Sequence, residues 1–173
     1  MPITAGLAKD CNPNSGGVQR IALANAADIT TISATGGVVD TITMGTSKVF
    51  YEFQAEQDTV EWRENGEQVN GSLKYTEEIE MFFRKQNATT VAAMKEIGEN
   101  LCGMVAAVLT TNGETFIVGW SENLGLERPL KLASDASTSG KDLTDLSGST
   151  MTLSAMSDSK AYTTSVDVFG TLL

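Results

Sequence analysis

The sequence predicts a mainly β protein of the α+β kind, a β-sandwich or partly closed barrel of about eight strands. One α-helix flanks it, and a long inter-strand hairpin or loop interrupts it. Three observations carry this expectation. KVFYEFQAE (48–56) and GSLKYTEEIEMFFRK (71–85) alternate apolar and polar residues with a period of two. Asn112-Gly113 stands between two apolar runs, the strongest short-range hairpin signal. Only NATTVAAMKEIGENL (87–101) shows helical spacing.

Met1 to Gly17 reads as an N-terminal arm, because CNPNSGG is turn chemistry throughout. Residues 18–173 then form a single domain, as a chain of 173 residues suggests. VQRIALA (18–24) predicts a strand, although Val18, Arg20 and Leu23 break clean alternation. The Thr, Ser and Gly-rich stretch 25–47 predicts short strands and loops, with a break at Gly36-Gly37. In 48–56, Val49, Tyr51 and Phe53 share one face, while Phe50, Glu52 and Gln54 share the other. In 71–85, Tyr75, Ile79, Met81 and Phe83 share a face opposite Lys74, Glu78, Glu80 and Arg84, and Glu77 and Phe82 are exceptions to the pattern. Two long strands around a polar segment predict an unusually tall hairpin.

The helix is expected over 88–101. Asn87 or Thr89 would be its N-cap, and Val91, Met94, Ile97 and Leu101 would form its buried stripe. A hairpin follows within 104–120, with Trp120 in the core. DASTSGKDLTDL is expected as a polar loop, and two strands, MTLSAMS and YTTSVDVFGTLL, close the chain.

Composition excludes several functions. Histidine is absent, which removes the commonest general base and metal ligand and with them every Ser-His-Asp or Cys-His arrangement. Cys11 and Cys102 are too few and too far apart for a zinc site; two reduced thiols are expected, a single disulfide being the alternative. Calcium fails at the twelfth position of the loop starting at Asp135, where Leu146 replaces the required glutamate. Glu78 and Glu80 point the same way on a strand but have no partner that would split their pKa values. No catalytic residue, metal or cofactor is therefore expected.

With 22 acidic and 12 basic residues, the chain carries −10, against stable binding of nucleic acid through its phosphates. No run approaches the roughly 20 apolar residues of a membrane span. MPITAGLAKD lacks a basic segment followed by an apolar run, so cytosolic synthesis is the expectation.

The segment 55–75 asks for a partner. As a plain loop it would leave Trp62 and Val69 exposed with nothing to cover them. As an arm docked on a neighbouring subunit, Trp62 becomes an anchor, while Arg63, Glu64, Glu67 and Lys74 set register by charge.

The order of parts resembles the major tail tube protein of tailed bacteriophages, whose fold is shared by the inner tube of type VI secretion. It runs from a β-rich N-terminal half with a tall hairpin, through a strand ending EMFFRK and the helix ATTVAAMKEIGEN, to four closing strands. The likeness spans about Val18 to Leu173 and rests on layout rather than a signature motif. It implies a non-enzymatic virion protein, made in the host cytoplasm and located in the tail. Its partners would be itself, as hexameric rings stacked into a tube, with sheath, tape measure, initiator and terminator proteins. DNA would pass through a negative channel without specific binding, and no membrane is involved. Mapped here, the inter-ring contacts fall at Trp62, Arg63, Glu64, Glu67 and Val69 within Glu56–Tyr75, and the channel lining at Glu52, Gln54, Glu78 and Glu80. The competing readings are a head-decoration or tail-terminator protein, or a soluble ligand-binding β-sandwich.

Overall fold

The computed structural model describes Gly6, residues 14–55 and residues 58–173. Cys11, Glu56 and most of the N-terminal arm lie outside the described residues. Cys102 is an exposed free thiol.

The described chain forms eleven strands and two helices in the order β1 (Val18–Asn25), β2 (Ile29–Thr35), β3 (Val38–Met44), β4 (Tyr51–Glu52), β5 (Glu61–Val69), β6 (Ser72–Arg84), α1 (Ala88–Glu99), β7 (Met104–Thr110), β8 (Thr115–Val118), β9 (Lys131–Thr138), β10 (Gly148–Ser157), β11 (Tyr162–Thr164) and α2 (Val168–Thr171). They build a seven-stranded mixed sheet, β2-β3-β11-β8-β7-β1-β4, and a four-stranded antiparallel sheet, β5-β6-β10-β9. Neither sheet closes, so the partly closed barrel gives way to two open sheets packed face to face.

The packing explains the broken alternation of VQRIALA. β1 and β7 are buried on both faces. Ile21, Leu23, Met104, Ala106 and Val108 point toward the four-stranded sheet, where they meet Ile79, Met81, Met151 and Leu153. Ala22, Ala24, Val105 and Ala107 point the other way, into a second core with Ile29, Val39, Ile42, Phe50, Ile117, Trp120 and Val168. A strand covered on both sides reads as a continuous apolar run. Because β2 and β3 share that second core with β1 and β7, the large sheet must curl, and α2 helps to fill it.

Four expectations need correction. The segment 48–56 does not pair with 71–85: β4 is two residues long and pairs with β1 in the large sheet. Its apolar residues are reversed as well, with Phe50 buried and Tyr51 exposed, because Phe50 lies in the second core. The tall hairpin is β5–β6 instead, joined at Asn70-Gly71, both with positive φ (51° and 82°) as a tight two-residue turn requires. The expected polar loop from Asp135 begins as β9, whose alternation is hidden because it is an edge strand exposed along most of its length. The last expected strand ends at Thr164, and Asp167 caps α2 by accepting from the Gly170 N–H.

The helix ends at Glu99, and Asn87 caps it by accepting from the Thr90 N–H at 2.9 Å. Only Met94 and Ile97 of its stripe are buried; Val91 and Leu101 are exposed. The Asn112-Gly113 hairpin forms as expected, and the break expected at Gly36-Gly37 is the turn of a β2–β3 hairpin.

Candidate functional site

The register of the four-stranded sheet sorts its side chains. Trp62 faces Ile79, Glu64 faces Glu77 and Met151 faces Met81, so these point into the core between the sheets. Their neighbours point outward. Glu61 and Arg63 on β5, Glu78 and Glu80 on β6, and Thr150, Thr152 and Ser154 on β10 make one polar surface. Arg63 stands among three carboxylates, 3.3 Å from Glu61, 3.5 Å from Glu78 and 3.4 Å from Glu80. One guanidinium against three carboxylates leaves this cluster of four at −2, while Lys74 and Arg84 on β6 and Lys131, opposite Ser154 of β10, lie on the same face.

The four expected channel residues are therefore divided. Glu78 and Glu80 lie together on the outer wall. Glu52 belongs to β4 of the other sheet, where Arg20 grips it with two bonds of 2.6 and 2.8 Å, and that grip holds its carboxyl below the usual range. Gln54 is exposed two residues further on.

The five expected contact residues are divided too. Trp62 is not an exposed anchor: its ring packs on Phe116, 4.6 Å between centroids, against the main core. Glu64 points inward, accepts from the Ala161 N–H at 2.6 Å and has Lys160 at 3.9 Å. Arg63 is on the wall. Only Glu67 and Val69 lie on the projecting part of the hairpin. β10 reaches no further along β6 than Tyr75, and residues 65–73 are exposed throughout. The tip carries Val69 toward one face and Leu73 toward the other, 44% and 58% exposed, with a Lys74–Glu67 pair at 2.9 Å.

Comparison with known proteins gives no match. No family model, curated protein or solved structure aligns with this chain.

Glu77, which sequence reasoning set aside as an irregularity, is the most unusual residue of the sheet. It is wholly buried on the core face. One carboxylate oxygen accepts from the Gly119 N–H at 3.0 Å, and the other has no partner among the described residues. Gly119 has φ 88°, and a Cβ there would lie 3.0 Å from the Met104 carbonyl and the Leu130 nitrogen, so only glycine lets this amide approach. Burial raises the Glu77 pKa to about 7 against the Gly119 bond, and the neighbouring Glu64 adds to the rise. The signal was present in sequence: a glutamate at an odd position among the inward residues 75, 79, 81 and 83.

No cluster of three metal-ligating side chains occurs among the described residues. The groove between α1 and the large sheet, about 270 Å³ and lined by Leu23, Tyr51, Phe53, Ala93 and Ile97, brings no acid–base pair together. No helix among the described residues is long and apolar enough to cross a membrane.

Proposed function

We propose that this chain is a non-enzymatic structural subunit that closes into hexameric rings and stacks into a tube of the phage-tail type. Genome would pass through a negatively charged channel. One observation carries the reading. The four-stranded sheet has two long open edges, β5 with nine residues and β9 with eight, and neither has a second partner among the described residues. Exposed edges of that length invite pairing with another chain.

The strand directions suit a ring. Every neighbouring pair in the sheet is antiparallel, so with four strands β5 and β9 run in opposite senses. β5 of one copy can then extend the β9 edge of the next with the alternation unbroken, and repetition around an axis closes the wall. Six four-stranded sheets make about 24 strands, wide enough to leave an aqueous lumen. With the core face turned toward the larger sheet, the Glu61, Arg63, Glu78 and Glu80 surface would line that lumen. The Glu61, Glu78 and Glu80 cluster around Arg63 has a negative excess that would repel phosphate, which suits transit rather than binding. The projecting tip supports stacking, with Glu67 and Val69 retained as contacts. Sheath, tape measure, initiator and terminator proteins belong to this reading as partners, and the virion tail as its location.

Negative-stain microscopy of the purified protein over a concentration series tests it. Hollow rings or stacked tubes with six-fold end views are expected. A chain that stays monomeric at the highest concentration, also after addition of preformed tail-tip complexes, would overturn the proposal.

A further inference from the structure

The small sheet has two unlike ends. At one is the β5–β6 tip with its exposed Val69 and Leu73. At the other is the loop of residues 139–147 between β9 and β10, because Gly148 pairs with Arg84, the last residue of β6. This loop is tied down by its own polar groups. Asp145 Oδ2 accepts from the Lys141 and Asp142 N–H groups, each at 2.9 Å, which holds its carboxyl below the usual range. The Asp145 N–H donates to the Asp142 carbonyl at 3.1 Å, and the Lys85 N–H donates to the Ser147 carbonyl at 3.1 Å, anchoring the loop beside the end of β6.

Ordered in this way, the loop still turns its two large apolar side chains to solvent. Leu143 is fully exposed and Leu146 is 62% exposed. A loop held by backbone bonds with both leucines outward has internal reasons for its shape but none for its leucines. Apolar pairs of this kind mark contact surfaces.

We propose that this 139–147 loop is the seat for the Val69–Leu73 tip of a second copy of the chain in the next ring. The inference rests on the tube reading above and names the surface that receives the hairpin. Tip and loop terminate opposite ends of one continuous strand, β6, so displacing a copy along the strand direction brings the tip of one toward the loop of the other. Such a contact joins two different patches, and the same displacement can repeat without limit. Leu143 and Leu146 would cover Val69 or Leu73, which point to opposite faces of the hairpin. Lys85, Lys141 and Asp142 stand at the loop end, and the tip carries Glu67 paired with Lys74, so charges of both signs surround the apolar side chains at each end. Each contact is small, and six engaging at once multiply its effect.

Two double variants of the full chain test this. Val69→Glu with Leu73→Glu disables the tip, and Leu143→Glu with Leu146→Glu disables the loop. Each alone should cut sedimentable tubes at least tenfold while leaving the thermal midpoint near that of the unaltered protein, since all four side chains are exposed. Mixed in equal amounts, the intact tips of the loop variant meet the intact loops of the tip variant. A species two layers deep that grows no further is then expected in analytical ultracentrifugation. If the loop variant elongates normally, or if the mixture gives no two-layer species, the inference is overturned and the ring reading stands. An unaltered protein that never forms rings overturns both. Should a glutamate variant lose its fold, the corresponding double serine variant replaces it in the same assay.

Discussion

Glu77 holds a carboxylate between two sheets, with the Gly119 amide on one oxygen and Glu64 as its cross-strand neighbour. Tyr75 and Ala155 share its face, and Asp158 and Lys160 sit on the connection beyond β10, Asp158 bonded to Asn123 and Lys160 reaching Glu64. Its pKa of about 7 lies above the ordinary 4.5, so the folded chain binds this proton more tightly than the unfolded one. The stability it contributes is full below 4.5, falls as pH rises toward about 7, and is lost above that. Glu77→Gln keeps an acceptor for Gly119 and cannot ionise. It should flatten the decline between those pH values and leave the protein on the order of 3 kcal/mol more stable than its parent well above pH 7. Thermal unfolding of both proteins across the window checks this; parallel profiles would show that another group carries the pH dependence. Trp62→Ala is expected to cost about 3 kcal/mol because it removes an indole packed on Phe116 and the core. Denaturant unfolding reads that cost directly, and a loss near zero would put Trp62 back at a surface contact.

At the scale of elements, what was legible depended on how many sides of a strand are covered. β6 could be read because one face is buried and the other polar, which is the pattern alternation detects. The β7–β8 hairpin could be read from Asn112-Gly113, a turn in which Gly113 takes φ 91°. β9 could not, since LASDAST at an open edge is polar in both directions and resembles a loop. β4 was overextended because the apolar residues around it, Phe50 above all, cover a core without forming a ladder. The same limit split the candidate site. Trp62, flanked by Glu61 and Arg63, looks exposed until the register opposite Ile79 is known, and no local signal supplies that register. The hairpin itself makes a sharper prediction. Gly71→Val forces a β-branched residue into a positive φ at the tip, which costs on the order of 1–3 kcal/mol locally. Hydrogen exchange should quicken at amides 66–74 and remain slow where β10 covers β6. Uniform acceleration along β6 would mean that the tip is not an independent unit.

For the whole molecule, β6 sets a length. Its 13 residues span roughly 43 Å at about 3.3 Å each, and a barrel tilt of 35–45° shortens the axial projection to about 30–35 Å. If the proposed tube forms with β6 along its wall, its axial repeat should fall between about 30 and about 43 Å in the power spectrum of its images. A repeat outside that range would mean that this sheet does not run along the tube. In the proposed ring six chains at −10 each would carry −60, so assembly should be slow in low salt. It should quicken toward physiological ionic strength, where screening acts within about 8 Å. Sedimentation at two salt concentrations measures this, and assembly that weakens as salt rises would point to attraction between charges as its main drive.

The two ends of the small sheet also bear on direction. If the tip enters only a loop, as proposed, every filament of this chain would be an arrow, with all tips at one terminus and all loops at the other. The chain then cannot cap itself. A protein that starts a tube from one terminus must offer the chemistry missing there, and a protein that stops it at the other must offer the opposite. A single bifunctional plug could not serve both places.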